Sequence, residues 1–225
     1  MAAGAGRGRD DRAPARHADR HRRACRLGSG AGKAEETRVK SSLYLALVHH
    51  PVLDRQGATV TTSITNMDVH DIARTGRTFG VRRFYVVHPV PGLRSLAERI
   101  VEHWRSGYGS RYNPSRHEAL GRVEVEPDLD HVIAAVEQDS GCMPRLVATT
   151  ARERSGAMRY DELARHLADG EDAWLLLFGT GYGMCDEVFD RCEAHLEPVH
   201  GVDGYNHLSV RSAAAVILDR LTRPR

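Results

Sequence analysis

The sequence predicts an α/β domain, a mostly parallel sheet with helices on both faces. Three observations carry that prediction. Short apolar runs rich in β-branched and aromatic residues alternate with longer amphipathic segments, the order expected of parallel strands joined by helical crossovers. Residues 43–48 (LYLALV) and 174–178 (WLLLF) are apolar without a break, as strands buried on both faces are. Glycine-rich polar loops follow two of the apolar runs, at 179–183 (GTGYG) and 200–207 (HGVDGYNH). Loops so placed present backbone N–H and C=O groups where open α/β sheets bind ligands.

Residues 43–48 form the first strand. Residues 69–79 read as a helix with Asn66 or Asp68 as its cap, and Gly80 stops it. A second strand covers 83–87, and 93–104 places Leu96, Ile100 and Trp104 on one helical stripe. Residues 123–125 make a weaker strand. Asp128 caps a helix that runs through Val136, and 145–150 returns to the sheet. A helix at 160–167, a strand at 174–178, a short helix at 185–191, a strand at 195–199 and a last helix at 206–221 complete the order.

A chain of 225 residues suffices for one sizeable α/β domain and is too short for two full enzymes. No apolar run approaches the roughly 18 residues that a spanning helix needs, and a cytoplasmic protein is expected. Residues 1–40 hold eleven Lys and Arg against five Asp and Glu, with few large apolar side chains. Such a segment buries too little surface to offset ordering entropy, so 1–40 is expected to be a disordered Arg/Ala/Gly-rich tail and 41–225 the folded domain. The tail lacks the apolar stretch of a secretory signal, and Asp10, Asp11 and Asp19 are unlike a transit peptide. A start codon set upstream of the true one and sequence-independent attraction to RNA phosphate both stay open as explanations of its arginines. The formal net charge is +2, so the remainder is slightly acidic and does not announce a nucleic-acid binder. Cys25, Cys142, Cys185 and Cys192 show no C-x-x-C spacing, and neither His49–His50 nor His195 with His200 sits at i, i+4. No metal is assigned, and reduced thiols are expected.

Residues 60–80 (VTTSITNMDVHDIARTGRTFG) are unusually polar for a connection between core strands. Arg74 lies three residues from Asp71 and four from His70, so one reading is an Asp–Arg pair on a helix face. The other is an anion site, because guanidinium binds phosphate bidentately. Arg99, His103, Trp104, Arg105, Tyr108, Arg111, Tyr112, Asn113 and Arg116 form a basic, aromatic-bearing patch. It reads either as an RNA surface or as a partly buried helix end with a solvated rim.

Three segments, in this order, resemble the motifs of the SPOUT superfamily of S-adenosylmethionine-dependent RNA methyltransferases, near its tRNA guanine-N1 and ribose 2′-O methyltransferases. Asn66 with 72–81 (IARTGRTFGV) resembles the first motif of the ribose branch. Residues 175–183 (LLLFGTGYG) resemble the second, and 197–201 (EPVHG) continuing to 208–215 (LSVRSAAA) the third. The resemblance implies a C-terminal trefoil knot, an exception to the rule against knotted connections. It implies that Thr149, Phe178, Gly179, Gly181, Pro198, Val199, Asn206 and Leu208 hold S-adenosylmethionine. It also implies a homodimer packed through the first and last helices, and an RNA substrate, tRNA or rRNA.

Within that resemblance Arg74 falls where the ribose branch places an arginine linked to activating the 2′-hydroxyl, whereas Ser209 stands where that branch usually has Asn. A ribose hydroxyl needs its proton removed or its oxyanion stabilised, which suits Arg74. A base nitrogen needs a carboxylate or a neutral imidazole, and Asp203, between Gly201 and Gly204, leads Asp68, His70 and His207 for that role. Arg77, Arg105 and Arg111 are the expected RNA contacts. Base and ribose methylation both stay open. So does a non-catalytic S-adenosylmethionine- or RNA-binding protein of the same fold. A dinucleotide-dependent oxidoreductase is disfavoured, because GTGYG lies late in the chain and lacks G-x-G-x-x-G spacing.

Overall fold

The structure, a computed structural model, describes residues 41–223; the expectation for residues 1–40 lies outside the described residues. Its elements are β1 (Ser42–Val48), β2 (Val52–Leu53), β3 (Thr59–Val60), α1 (Asn66–Thr78), β4 (Arg83–Val87), α2 (Pro91–Arg105), α3 (Tyr108–Tyr112), α4 (Pro114–Leu120), β5 (Val123–Glu126), α5 (Leu129–Ser140), β6 (Arg145–Ala148), α6 (Tyr160–Asp169), β7 (Ala173–Gly179), α7 (Asp186–Asp190), β8 (Ala194–His195) and α8 (Val210–Thr222). The main sheet has the order β5-β4-β1-β7-β6-β8, with every pairing parallel. From β1 the chain builds outward through β4 and β5. It then crosses to the other side of β1, where β7 inserts between β1 and β6.

Alternation along the strands explains the apolar runs. Leu43, Leu45 and Leu47 of β1 join Trp174, Leu176 and Phe178 of β7 in a core that includes residues of α1, α2, α4, α6 and α8. Tyr44, Ala46 and Val48 join Leu175 and Leu177 on the opposite face, under α5 and α7. Both faces are therefore dry, and a polar residue at either register would be buried. Among the described residues no helix is long and apolar enough to cross a membrane.

Several boundaries depart from the sequence expectation for identifiable reasons. The cap of α1 is Thr65, whose side chain accepts from the Asp68 amide at 3.2 Å; neither Asn66 nor Asp68 takes that place. Between β4 and β5 the chain adds the short helices α3 and α4, the second opened by Pro114 and capped by Asn113. An Asn-Pro pair is a helix-start signal, and the short length of each helix hid it among the basic residues. The strand expected at 195–199 ends at His195, and Pro198, lacking an N–H, cannot extend a ladder. The last helix starts at Val210 under a Ser209 cap, leaving 206–209 in the loop. Cys185 and Cys192 are free thiols, whereas Cys142 is disulfide-bonded, which departs from the reduced-thiol expectation.

Asp139 near the end of α5 ties three positions of the sheet's amino edge. It accepts from the hydroxyl of the fully buried Tyr44 at 2.7 Å and pairs with Arg82 and Arg83. The Asp139→Ala chain should lose about 2 kcal/mol, because the buried hydroxyl is left without an acceptor. Tyr44→Phe in the same background should then cost little more. Urea midpoints of the two single variants and the double variant check this, and strict additivity would contradict it.

Candidate active site

The carboxyl edge of the sheet is organised by a polar network that sequence reading did not find. β1 and β7 end at the same height, with Val48 opposite Gly179. Ligands in open α/β sheets bind outside such an edge, where the strand order reverses. Here the His49 ring nitrogen Nδ1 meets the Thr62 hydroxyl at 3.0 Å, Thr62 in turn bonds to Thr180, and the Thr180 hydroxyl donates to Val48 O at 3.2 Å. His88 Nε2 lies 3.0 Å from Thr62 O, and its Nδ1 accepts from the Val90 amide at 3.0 Å. Both imidazoles are fully buried. Burial, with His88 beside it, holds His49 down at about 4, and burial likewise lowers His88. Both are neutral at pH 7 and join the edge to the segment that leads into α1.

Three loops meet above this network. Beyond β6, the Thr149 amide and hydroxyl both donate to Leu177 O, at 3.0 and 2.9 Å. Asn206 Nδ2 donates to Ala151 O at 2.7 Å, and Arg152 donates to Tyr182 O at 3.1 Å. The segments 149–152, 179–184 and 197–209 are thereby held to one another. Gly181 has φ +60°, and a Cβ there would lie 2.9 Å from Leu53 O of the β2–β3 hairpin. A Cβ at Gly179 would lie 2.7 Å from Met184 Cγ, and one at Gly201 only 1.6 Å from Tyr205 O. No side chain fits at Gly201 unless the turn moves. Pro198 is buried, Val199 packs against the core, and Leu208 is 48 % exposed.

Among the described residues, the backbone N–H groups of Gly181, Val199, Gly201, Asn206 and Leu208 donate to no protein acceptor. Asp203 is exposed in the left-handed region, φ 54°. The arginines divide sharply. Asp71 faces Arg211 of α8 at 3.5 Å, so the expected Asp71–Arg74 pair does not form. Arg74 is exposed with no carboxylate partner among the described residues. Arg77 is bound to Glu118 of α4, and Arg105 to Glu124 and the Val123 carbonyl. Arg111 is exposed on α3.

The sequence profile of one family, described as SAM-dependent RNA methyltransferase, matches residues 42–223. The chain belongs to that family. This methyltransferase uses S-adenosylmethionine (SAM) and acts on RNA. It is 37 % identical over 183 residues to an uncharacterized protein of Aquifex aeolicus, an alignment covering 81 % of this chain and 89 % of that one. It is 43 % identical over 180 residues to a tRNA (guanine-N(1)-)-methyltransferase of Nitratidesulfovibrio vulgaris, covering 80 % of this chain and 42 % of that protein. A relative of the same name from Oleidesulfovibrio alaskensis is 40 % identical over 189 residues, covering 84 % of this chain and 44 % of the relative. The methyltransferase thus spans less than half the length of these two relatives. A solved probable methyltransferase of Bordetella pertussis Tohama I superposes with TM-score 0.55 at 18 % identity, covering 83 % of this chain and 98 % of that one. TrmJ from Z. mobilis gives 0.51 at 17 % identity, covering 82 % and 69 %. These two show the shared fold.

The donor set of the methyltransferase's loops suits a nucleoside cofactor. Backbone N–H groups without a protein acceptor are the kind of donor that suits the edge of a base or ribose, and Tyr205 and Leu208 are exposed on the same loop. The neutral histidines predict a pH dependence. In the folded chain His49 resists protonation until about pH 4, whereas the unfolded chain binds the proton near 6.5. Stability is therefore full above about pH 6.5 and falls by on the order of 3 kcal/mol as pH drops toward 4. His49→Gln should be weaker at pH 7.5 yet show a shallower slope; equal slopes in urea denaturation across pH 4.5–7.5 would remove His49 as the cause.

Proposed function

We propose that the chain methylates tRNA in the cytoplasm, with residues 41–225 acting as one knotted SPOUT-like domain that holds SAM among Thr149, Phe178, Gly179, Gly181, Pro198, Val199, Asn206 and Leu208. The observation that carries this reading is the meeting of three cross-tied loops, rich in unpaired backbone donors, at the carboxyl edge. The tRNA substrate is supported by the names of the two longer relatives. A homodimer through α1 and α8 is supported by Ala213, Ala215 and Val216, half-buried on α8, beside the exposed Leu208.

When bound, SAM supplies an electrophilic methyl group on a sulfonium. The chain's own work is orientation and charge, since methyl transfer requires an in-line acceptor and little covalent help. The Phe178 and Val199 ends of the loops rest on the core and fix the loop backbones. Arg74, a cation unmatched by any carboxylate among the described residues, stabilises the oxygen of a ribose hydroxyl as its proton passes to solvent water and the oxygen takes the methyl group from the sulfonium, which leaves as the neutral thioether. Asp203 is the group that would accept a proton from a base nitrogen, and the exposed Arg111 meets RNA phosphate. Arg77 and Arg105 reach RNA only with the charge left after their carboxylate pairings.

Calorimetry with SAM and nucleoside analysis of treated tRNA test this together. Gly201→Ala and Asn206→Ala should each weaken SAM binding by at least about tenfold, because the first displaces the 201–205 turn and the second cuts the tie to Ala151. Arg74→Ala should bind SAM normally and lose about 10²–10³-fold in turnover, with the product a ribose-methylated nucleoside. A base-methylated product lost in Asp203→Asn instead would reassign the acceptor. Absence of SAM binding by the wild-type chain at millimolar ligand would overturn the loop assignment.

A further inference from the structure

Beside Arg74, a groove of about 570 Å³ runs between α1 and α2 and is closed by α4. Its wall carries Trp104 and Arg116, the Arg116 guanidinium lying over the indole with 4.9 Å from its central carbon to the ring centroid. His70 and His103 meet the same indole edge-on, at 5.4 and 5.1 Å between centroids. Burial and the nearby Arg116, with smaller contributions from Arg74 and His103, outweigh Asp71 and lower the His70 pKa, so Arg74 and Arg116 lie within electrostatic reach of one imidazole. Arg99 lines the groove with no carboxylate partner among the described residues, and the acid on the rim, Asp71, is engaged with Arg211. Beyond α2, Tyr108 and Tyr112 of α3 stack on each other at 6.0 Å while remaining 76 % and 73 % exposed.

We propose that this groove receives an unstacked base of the RNA, laid on the Arg116 guanidinium that Trp104 holds flat, with Arg99 and Arg116 meeting the flanking phosphates and the Tyr108–Tyr112 pair carrying the next base. The inference rests on the RNA-methylating reading and gives the RNA a path toward Arg74. Guanidinium planes and exposed aromatic rings are the surfaces on which single-stranded bases stack. Charge selects this groove over the neighbouring cavity of about 800 Å³, whose lining holds Glu98, Glu102 and Glu124 against an already paired Arg105 and Arg99, which borders both. Phosphate is repelled there and attracted here.

The chain reports on the groove directly, because of its two tryptophans Trp174 is fully buried in the sheet and Trp104 lines the groove. The full chain should be titrated with single-stranded octaadenylate and octauridylate, and separately with inorganic polyphosphate, while tryptophan emission is followed. RNA should change the emission saturably, whereas polyphosphate, lacking bases, should bind with at most a small change. Arg99→Gln/Arg116→Gln should weaken RNA binding by at least about tenfold and Tyr108→Ala/Tyr112→Ala by about five- to tenfold, both retaining SAM binding within about twofold by calorimetry. Unchanged emission at saturating RNA, or wild-type RNA affinity in both double variants, would overturn the proposal. So would shielding of Trp104 from acrylamide that grows with chain concentration in the absence of RNA, which would make the groove a contact between copies. SAM binding with a silent Trp104 defeats the groove alone; a responsive Trp104 without SAM binding defeats the loop assignment and leaves the groove standing.

Discussion

The pairing of β1 with β7 is the constraint on which the rest hangs. It runs over seven residue pairs, Ser42 with Ala173 through Val48 with Gly179, in a strand that also pairs with β4 and is buried on both faces. A one-residue slip would exchange the two faces of β1 and drive its leucines against α5 and α7. Because the register cannot drift, Val48 O always lies where the Thr180 hydroxyl can reach it, and Thr180 always lies where Thr62 can. The loop 179–183 and the segment leading to α1 are thus positioned by one hydrophobic register, read out through a short run of hydroxyls and a neutral imidazole.

The glycines of the second loop work differently from the first impression their composition gives. The open space beside Gly181 is taken by the Leu53 carbonyl and that beside Gly179 by Met184. Tyr182 donates to Leu53 O, and Gly183 O accepts from the Leu53 amide at 2.8 Å, so the loop lies along the β2–β3 hairpin almost as a further strand. Close approach is therefore used for packing protein on protein. What remains for a ligand in this loop is the N–H of Gly181 itself, because the amides of Thr180, Tyr182 and Gly183 donate to the carbonyls of Val48, Leu53 and Thr180.

Much of the fold was legible because the information was local. Runs such as LYLALV and WLLLF announce strands dry on both faces, and the Asp128 cap of α5 stands one residue before its helix. The β2–β3 hairpin was not legible, since each strand is two residues long and carries no period. The segments that carry the resemblance lie against one another in the structure, yet the pairing of charges was a matter of tertiary distance. Arg77 finds Glu118 forty-one positions away, and Asp71 finds Arg211 across 140, while Arg74 between them in the helix finds neither. His49 and His88 were passed over because a polar residue at the end of an apolar run resembles a strand terminus, and only the parallel register shows that both lie side by side.

Arg105 illustrates how one side chain can occupy the border of a sheet. Its guanidinium occupies the Val123 carbonyl and holds Glu124 on β5, the outermost strand of one side, and the other side ends in a β8 of two residues. An incoming strand would find its acceptor already taken at the first border and almost no ladder at the second. Sheet extension is disfavoured at both borders.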